Sequence, residues 1–185
     1  MLGDIFRVGK ATGAEDAAQR FAAKLQRRID QVKEKASLSA TRPRVACLEW
    51  VEPIMVAGHW VPEMVELAEG EDCLGDKGSP SFRVEWQQVL DQRPDVIVVT
   101  PCGFDVRRGL TEIHWLTERE GWGSLPAVQR GQVYVVDASS YFSRSGPRLV
   151  DGLEIMAEIL HPELFSGMVP EGGAARLYGE AFRLS

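Results

Sequence analysis

The residues best suited to chemistry follow three strand-like segments, where aromatic side chains stand beside glycine, proline or polar residues. They are Trp50, His59 and Trp60 after the first segment, Cys102, Gly103 and Phe104 after the second, and Tyr141, Phe142 and Arg144 after the third. Glycine lets a backbone approach a ligand closely, and aromatic rings supply a large flat contact area. We expect these residues to line a cleft for a broad, mostly apolar ligand that carries a few polar groups.

Each of these residues also has an ordinary structural interpretation. Trp50 and Trp60 are typical of side chains that cap a core, and Arg144 is typical of a solvated surface. His59 lies at the start of a predicted helix, where backbone groups can satisfy the hydrogen bonds of its ring. The binding interpretation therefore depends on all of them meeting at one edge of a sheet, because ligands of open α/β folds bind at the carboxyl ends of the strands.

Cys102 has a second, catalytic interpretation. A cysteine at a strand end beside glycine is placed as a thiolate nucleophile would be, with His59 or His114 as its base. Inert packing is the ordinary alternative. The cysteines Cys47, Cys73 and Cys102 are odd in number and lack CxxC spacing, which argues against a disulfide framework and a zinc ribbon. No GxGxxG, GxSxG or HExxH sequence occurs either, so we expect a binding protein with no catalytic residue, metal site or cofactor.

Composition excludes several classes of protein. The chain has 185 residues, 44% of them hydrophobic and 26% charged, which is typical of one soluble domain with an appendage. The net charge of −6 argues against nucleic acid as a partner, because phosphate binding needs a basic surface. No segment approaches the ~20 apolar residues of a membrane span, and the first residues lack the apolar core of a signal peptide. As written, the chain is expected in the cytoplasm.

The N-terminal part predicts one long helix. Thr12 and Glu15 have the spacing of a capping box, and apolar residues from Ala18 to Ala36 recur with the helical period. Such a helix of roughly 24 residues would be about 36 Å long. A polar segment at residues 37–43 then predicts a connector.

After the connector, strand-like and helix-like segments alternate. Strands are predicted at residues 45–50, 96–100 and 133–136, and helices at residues 62–68, 84–91, 107–119, 125–130 and 147–160. This order predicts an α/β fold: a Rossmann-like parallel sheet sandwiched by helices and preceded by one long N-terminal helix.

These residues, in this order, resemble the cobalamin-binding members of the ABC-transporter substrate-binding proteins. Those are periplasmic binding proteins with two lobes joined by a rigid helix. The similarity covers nearly the whole chain. It is most specific in Gly-His-Trp-Val-Pro-Glu-Met at residues 58–64 and Gly-Pro-Arg-Leu-Val-Asp-Gly at residues 146–152. Further similarity lies at residues 44–50, 101–105, 131–135 and 141–154, and the similarity at residues 94–98 and 125–128 is general to the superfamily.

The resemblance implies how the chain divides and what it binds. Residues 1–40 would be a remnant of the first lobe with the bridging helix, and residues 41–185 the C-terminal α/β lobe. The implied ligand is a corrinoid (cobalamin, vitamin B12), carried as cargo and not as a cofactor. The apolar contacts would come from Trp50, Trp60, Phe104, Tyr141 and Phe142, and the polar contacts from His59 and Arg144.

The resemblance also implies a partner and a location. The partner would be an ABC permease, and a full-length family member would be periplasmic or an extracellular lipoprotein. Two other interpretations stay open. The ligand could be an iron chelate, such as a siderophore or heme, or the chain could be a derivative without a transport role that forms a homodimer through its exposed long helix.

Overall fold

The computed structural model of the chain describes residues 1–178 and 181–184, with side chains described up to residue 177. The helices are α1 (Leu2–Thr12), α2 (Glu15–Ala36), α3 (Val61–Leu67), α4 (Trp86–Gln92), α5 (Val106–Glu112), α6 (His114–Thr117), α7 (Pro126–Gln129), α8 (Ala138–Tyr141) and α9 (Leu149–Leu160). The strands are β1 (Arg44–Val51), β2 (Ile54–Val56), β3 (Glu71–Asp72), β4 (Phe82–Arg83), β5 (Val96–Val99), β6 (Val133–Val136), β7 (Ala174–Tyr178) and β8 (Ala181–Leu184).

The strands form one sheet in the order β4-β2-β1-β5-β6-β7-β8, and β3 pairs with the beginning of β1. The pairs β1–β5 and β5–β6 are parallel. The outer pairs β1–β2, β2–β4, β6–β7 and β7–β8 are antiparallel. The predicted α/β class is therefore confirmed, and the antiparallel strands extend the parallel centre on both sides.

Two hydrophobic clusters cover the two faces of the sheet. Along β1, Cys47 belongs to the cluster shared with α2, α3 and α9, whereas Ala46 and Leu48 belong to the cluster on the opposite face. Side chains alternate in this way because successive residues of a strand point to opposite faces. Helices therefore pack on both sides of the sheet, as predicted.

The predicted long N-terminal helix is confirmed as α2, which has 22 residues from Glu15 to Ala36, but its predicted start at Thr12 is wrong. Thr12 is the last residue of α1, and its Oγ1 donates to the Val8 carbonyl at 2.9 Å instead of capping a following helix. Gly13 ends α1 in the left-handed conformation, with φ 67°, and α2 begins at Glu15. The glycine signal for a helix end outweighs the capping-box pattern here.

The predicted helix at residues 107–119 is likewise divided. It forms α5 and α6, which meet at Ile113. Asp105 caps α5, since its Oδ1 accepts from the Arg108 N–H at 2.8 Å. The remaining predicted helices lie within two residues of their observed bounds, as expected for boundaries read from patterns.

Helix α2 is held on the α/β unit by packing and by charge. Its residues Leu25, Val32 and Ala36 are buried. The Arg28 guanidinium lies against α9, where its Nε donates to Glu154 Oε1 at 2.8 Å and a terminal nitrogen donates to Asp151. The side chains Phe6, Val8 and Phe21 of α1 and α2 remain exposed. A homodimer through this face stays a prediction.

None of the helices in the described part of the chain is long and apolar enough to cross a bilayer.

Candidate functional site

A pocket of about 200 Å³ lies at the carboxyl ends of β1 and β5, beside the segment that follows β6. Its lining residues are Glu49, Ala57, Gly58, His59, Trp60, Val61, Thr100, Cys102, Phe142 and Ser143. A larger groove of about 500 Å³ lies between α1, α2 and residues 145–147, but it is almost wholly apolar. We assign the site to the smaller pocket because it combines the strand-end position with converging polar groups.

Glu49 enters the pocket from an irregularity in β1. In the β1–β2 pairing, Leu48 faces Val56 and Trp50 faces Met55, so Glu49 is the extra residue of a β-bulge. Bulges re-aim side chains and are frequent next to functional sites. Glu49 was not predicted as a site residue, because only the pairing with β2 reveals the bulge.

The turn at residues 58–60 forms a second wall. His59 has φ 57°, and both of its backbone polar groups are hydrogen-bonded. Its N–H donates to the Ser79 carbonyl at 2.6 Å, and its carbonyl accepts from the Gly78 N–H at 3.0 Å. A left-handed residue other than glycine is uncommon and is stabilised here by this loop. The imidazole is left exposed at the mouth of the pocket.

Trp60 connects the turn to the segment after β6. Its indole Nε1 donates to the Phe142 carbonyl at 2.8 Å. Phe142 is 3% exposed and belongs to the core, and Tyr141 is half-buried against the same cluster. Most of both rings therefore faces the protein interior, and of these two residues only Phe142 lines the pocket.

The segment after β5 supplies the third wall. Thr100 is 2% exposed, and its hydroxyl makes no hydrogen bond to any described residue. Cys102 is exposed, and the Gly103 N–H donates to Ser143 Oγ at 3.2 Å, which ties the ends of β5 and β6 together. Thr100 was also missed, because the sequence assigns it to the end of a buried strand.

An aromatic pair lies outside the pocket lining. The Trp50 and Phe104 ring centroids are 5.2 Å apart with a tilt of 59°, and the Arg108 guanidinium lies 5.0 Å from the centre of the Phe104 ring. The structure thus joins two sequence-predicted residues in one aromatic contact. Arg144 is exposed and makes no ion pair with the described residues.

The structure does not bring Cys102 into hydrogen-bonding contact with either histidine suggested as its base. Its thiol makes no hydrogen bond to His59 or His114, and His114 Nδ1 lies 2.9 Å from the Thr111 carbonyl. Across residues 1–177, no three His, Cys, Asp or Glu side chains lie close enough together to hold a metal ion. The arrangement suits reversible binding by apolar contact and hydrogen bonding.

Asp72 is a mostly buried carboxylate at the end of β3. Its Oδ1 accepts from the N–H groups of Leu74 and Gly75, but its buried Oδ2 has no hydrogen-bond partner. Burial raises the pKa of the Asp72 carboxyl above its ordinary value of 3.8, and the two backbone N–H groups oppose that shift. A raised pKa means that Asp72 favours folding below pH 3.8 and disfavours it as pH rises through the raised value.

We expect Asp72→Asn to raise the free energy of unfolding at pH 7 by about 1 kcal/mol, because a buried neutral amide replaces a buried unpaired charge. The difference from the wild type should shrink toward pH 4. Urea denaturation at pH 4, 5, 6 and 7 measures both effects, with the exposed Asp91→Asn as the control. A variant less stable than the wild type at pH 7 would contradict the interpretation.

The sheet with helices on both faces and a pocket at its strand ends has the architecture of an open α/β unit, the kind of fold in which ligands bind at that edge. A family model described as periplasmic binding protein matches residues 3–140. The chain belongs to the periplasmic binding protein family.

Several relatives resemble the chain in sequence or structure. An ABC transporter substrate-binding lipoprotein of Bacillus subtilis, YvrC, is 28% identical over 168 residues, covering 85% of this chain and 49% of the relative. The vitamin B12-binding protein of Vibrio cholerae is 31% identical over 101 residues, covering 54% of this chain and 33% of the relative. The chain thus spans about half the length of the Bacillus relative.

Solved structures share the fold. The vitamin B12-binding protein BtuF of Vibrio cholerae superposes with a TM-score of 0.71 at 22% identity, covering 87% of this chain and 60% of BtuF. The heme-binding protein RhuT of Roseiflexus sp. RS-1 superposes with a TM-score of 0.72 at 22% identity, covering 87% of this chain and 62% of RhuT. These superpositions place the chain in one fold that includes proteins for different ligands.

Proposed function

We propose that the chain is a ligand-binding lobe of an ABC-type uptake system and that its ligand is a corrinoid such as cobalamin. The observation that supports this most directly is the cluster of aromatic and polar residues at the strand ends, in a chain that aligns with a vitamin B12-binding protein. The mechanism is capture without chemistry, followed by delivery to a permease. The binding would take place outside the cytoplasmic membrane, since the Bacillus relative is named a lipoprotein.

The aromatic contacts suit a broad macrocycle. Trp50 and Phe104 present neighbouring rings, and Trp60 is fixed by its hydrogen bond to Phe142. Preformed aromatic surface binds a flat ligand with little loss of side-chain entropy. His59 supplies a polar contact at the mouth of the pocket, and Arg144 is placed on the exposed segment after β6.

Titration calorimetry with cyanocobalamin tests the proposal. We expect binding to the wild type, and we expect Trp50→Ala to raise the dissociation constant about tenfold, the equivalent of losing roughly 1.4 kcal/mol of aromatic contact. Trp115→Ala is the matched control, because Trp115 is exposed and its ring contacts His114 and not the Trp50–Phe104 pair. Its dissociation constant should match that of the wild type.

Two outcomes would contradict the proposal. One is the absence of binding at high micromolar cyanocobalamin. The other is tighter binding of heme or a ferric hydroxamate, which would favour the iron-chelate interpretation, since a heme-binding protein shares the fold.

A further inference from the structure

The geometry points to a subsite for a primary carboxamide arm of the ligand, formed by Glu49 and Thr100, which both line the pocket. The cargo would then be a chelate that carries amides, and a chelate that carries carboxylates would be disfavoured. This inference rests on the proposed function, because it specifies which ligand chemistry the proposed site selects.

Glu49 is held so that one carboxylate oxygen stays free. Its Oε2 accepts from Ser81 Oγ, and Ser81 Oγ in turn accepts from the Gly58 N–H at 3.3 Å. Its backbone carbonyl accepts from the Cys102 N–H at 3.2 Å, so the bulge is fixed at both the main chain and the side chain. Glu49 lines the pocket, and its other carboxylate oxygen, Oε1, accepts no hydrogen bond from the described residues.

Thr100 provides a second, independent observation. It is 2% exposed, yet its hydroxyl has no partner among the described residues, and it lines the same pocket. The hydroxyl oxygen is not among the fully buried side-chain atoms that lack a partner, so it keeps some accessible surface. An unpartnered hydroxyl that a group in the pocket can reach indicates a place for a ligand group. Its N–H donates to the Leu48 carbonyl at 2.8 Å, which places Thr100, the residue after β5, beside β1 next to Glu49.

The two groups complement a primary amide. A carboxamide presents two N–H donors and one carbonyl acceptor, and here a carboxylate oxygen accepts while a hydroxyl donates. Glu49 makes no ion pair with the described residues, and it is the one acidic side chain among the residues that line the pocket. The described lining contains no lysine or arginine to offset a ligand carboxylate placed beside Glu49, and like charges at close range oppose binding.

The size of the pocket limits the subsite to an arm of the ligand. Pockets that enclose whole drug-sized ligands measure roughly 300–1,000 Å³, whereas this one measures about 200 Å³. A corrin ring carries acetamide and propionamide arms at its edge, whereas heme carries propionate carboxylates. One amide arm in the pocket would leave the ring against the Trp50–Phe104 pair.

Equilibrium dialysis at about 0.15 M salt, where distant charges are largely screened, compares two corrinoids that differ in their arms. Dicyanocobinamide carries amides, and dicyanocobyrinic acid carries carboxylates on the same ring. We expect the wild type to bind the amide form at least tenfold more tightly. We expect Glu49→Gln to reduce that ratio about tenfold, and Thr100→Val to weaken only the amide form, about fivefold.

Glu118→Gln is the matched control, because it removes an exposed carboxylate that makes no ion pair among the described residues. It should change the ratio less than twofold. If dicyanocobinamide binds the wild type and Glu49→Gln changes the ratio no more than Glu118→Gln does, the subsite is wrong and the proposed function stands. If no corrinoid binds the wild type, both are wrong. If Glu49→Gln fails to fold, Thr100→Val tests the subsite alone: equal affinity of this variant and the wild type for dicyanocobinamide would contradict it.

Discussion

Replacing Gly58 with alanine is expected to lower the free energy of unfolding by about 3 kcal/mol and to abolish ligand binding. A Cβ atom on Gly58 would lie 2.4 Å from the Ser79 carbonyl oxygen, 2.5 Å from the Ser81 nitrogen and 2.6 Å from the Pro80 carbonyl carbon. All three are backbone atoms, so no side-chain rotation can relieve the overlap. The turn and the loop at residues 79–81 must separate.

That separation would act directly on the pocket. Ser81 Oγ accepts from the Gly58 N–H and donates to Glu49, and the Ser79 carbonyl accepts from the His59 N–H. Moving the loop therefore disturbs two walls at once. Urea denaturation and calorimetry with cyanocobalamin measure the two effects.

Gly123→Ala is the matched control for Gly58→Ala. An added Cβ on Gly123 meets nothing within 4 Å, so the free energy of unfolding should stay within about 0.5 kcal/mol of the wild type. Equal stability of the two variants would show that the turn and the loop are not packed as closely as the structure indicates.

The sequence predicted the parts of the fold that depend on local patterns. The β-branched run at Val96–Val99 indicated a buried strand, and the apolar period from Ala18 to Ala36 indicated a helix. Thr12 was misjudged because its pattern fits two helix ends, and only the left-handed Gly13 distinguishes them. The antiparallel strand β2 has three residues, too few to show an alternating pattern.

The site was predictable as a location and less so in its detail. Residues after strand ends meet at one edge by topology, which is why His59, Trp60, Cys102 and Phe142 line one pocket. Which side chains enter that pocket depends on pairing between distant segments. The bulge at Glu49 comes from β2, so neither it nor the unpartnered hydroxyl of Thr100 could be read from neighbouring residues.

Gly152→Ala, in α9, tests whether helix packing sets the position of the site. In an exposed helix interior, this change stabilises a protein by roughly 1 kcal/mol, because alanine is the better helix former. Here the added Cβ would lie 2.4 Å from the Tyr141 carbonyl oxygen and 2.9 Å from Met64 Cε. We therefore expect the opposite sign, a loss of about 2 kcal/mol in the free energy of unfolding.

The same change should weaken cyanocobalamin binding severalfold. Tyr141 ends α8 and precedes Phe142, whose carbonyl accepts from the Trp60 indole, so displacing this segment disturbs one wall of the pocket. Gly3→Ala in α1 is the matched control, because its Cβ meets nothing within 4 Å. It should leave binding unchanged and stability equal or slightly higher. If Gly152→Ala stabilised the protein as Gly3→Ala does, α9 would not determine where the segment after β6 lies.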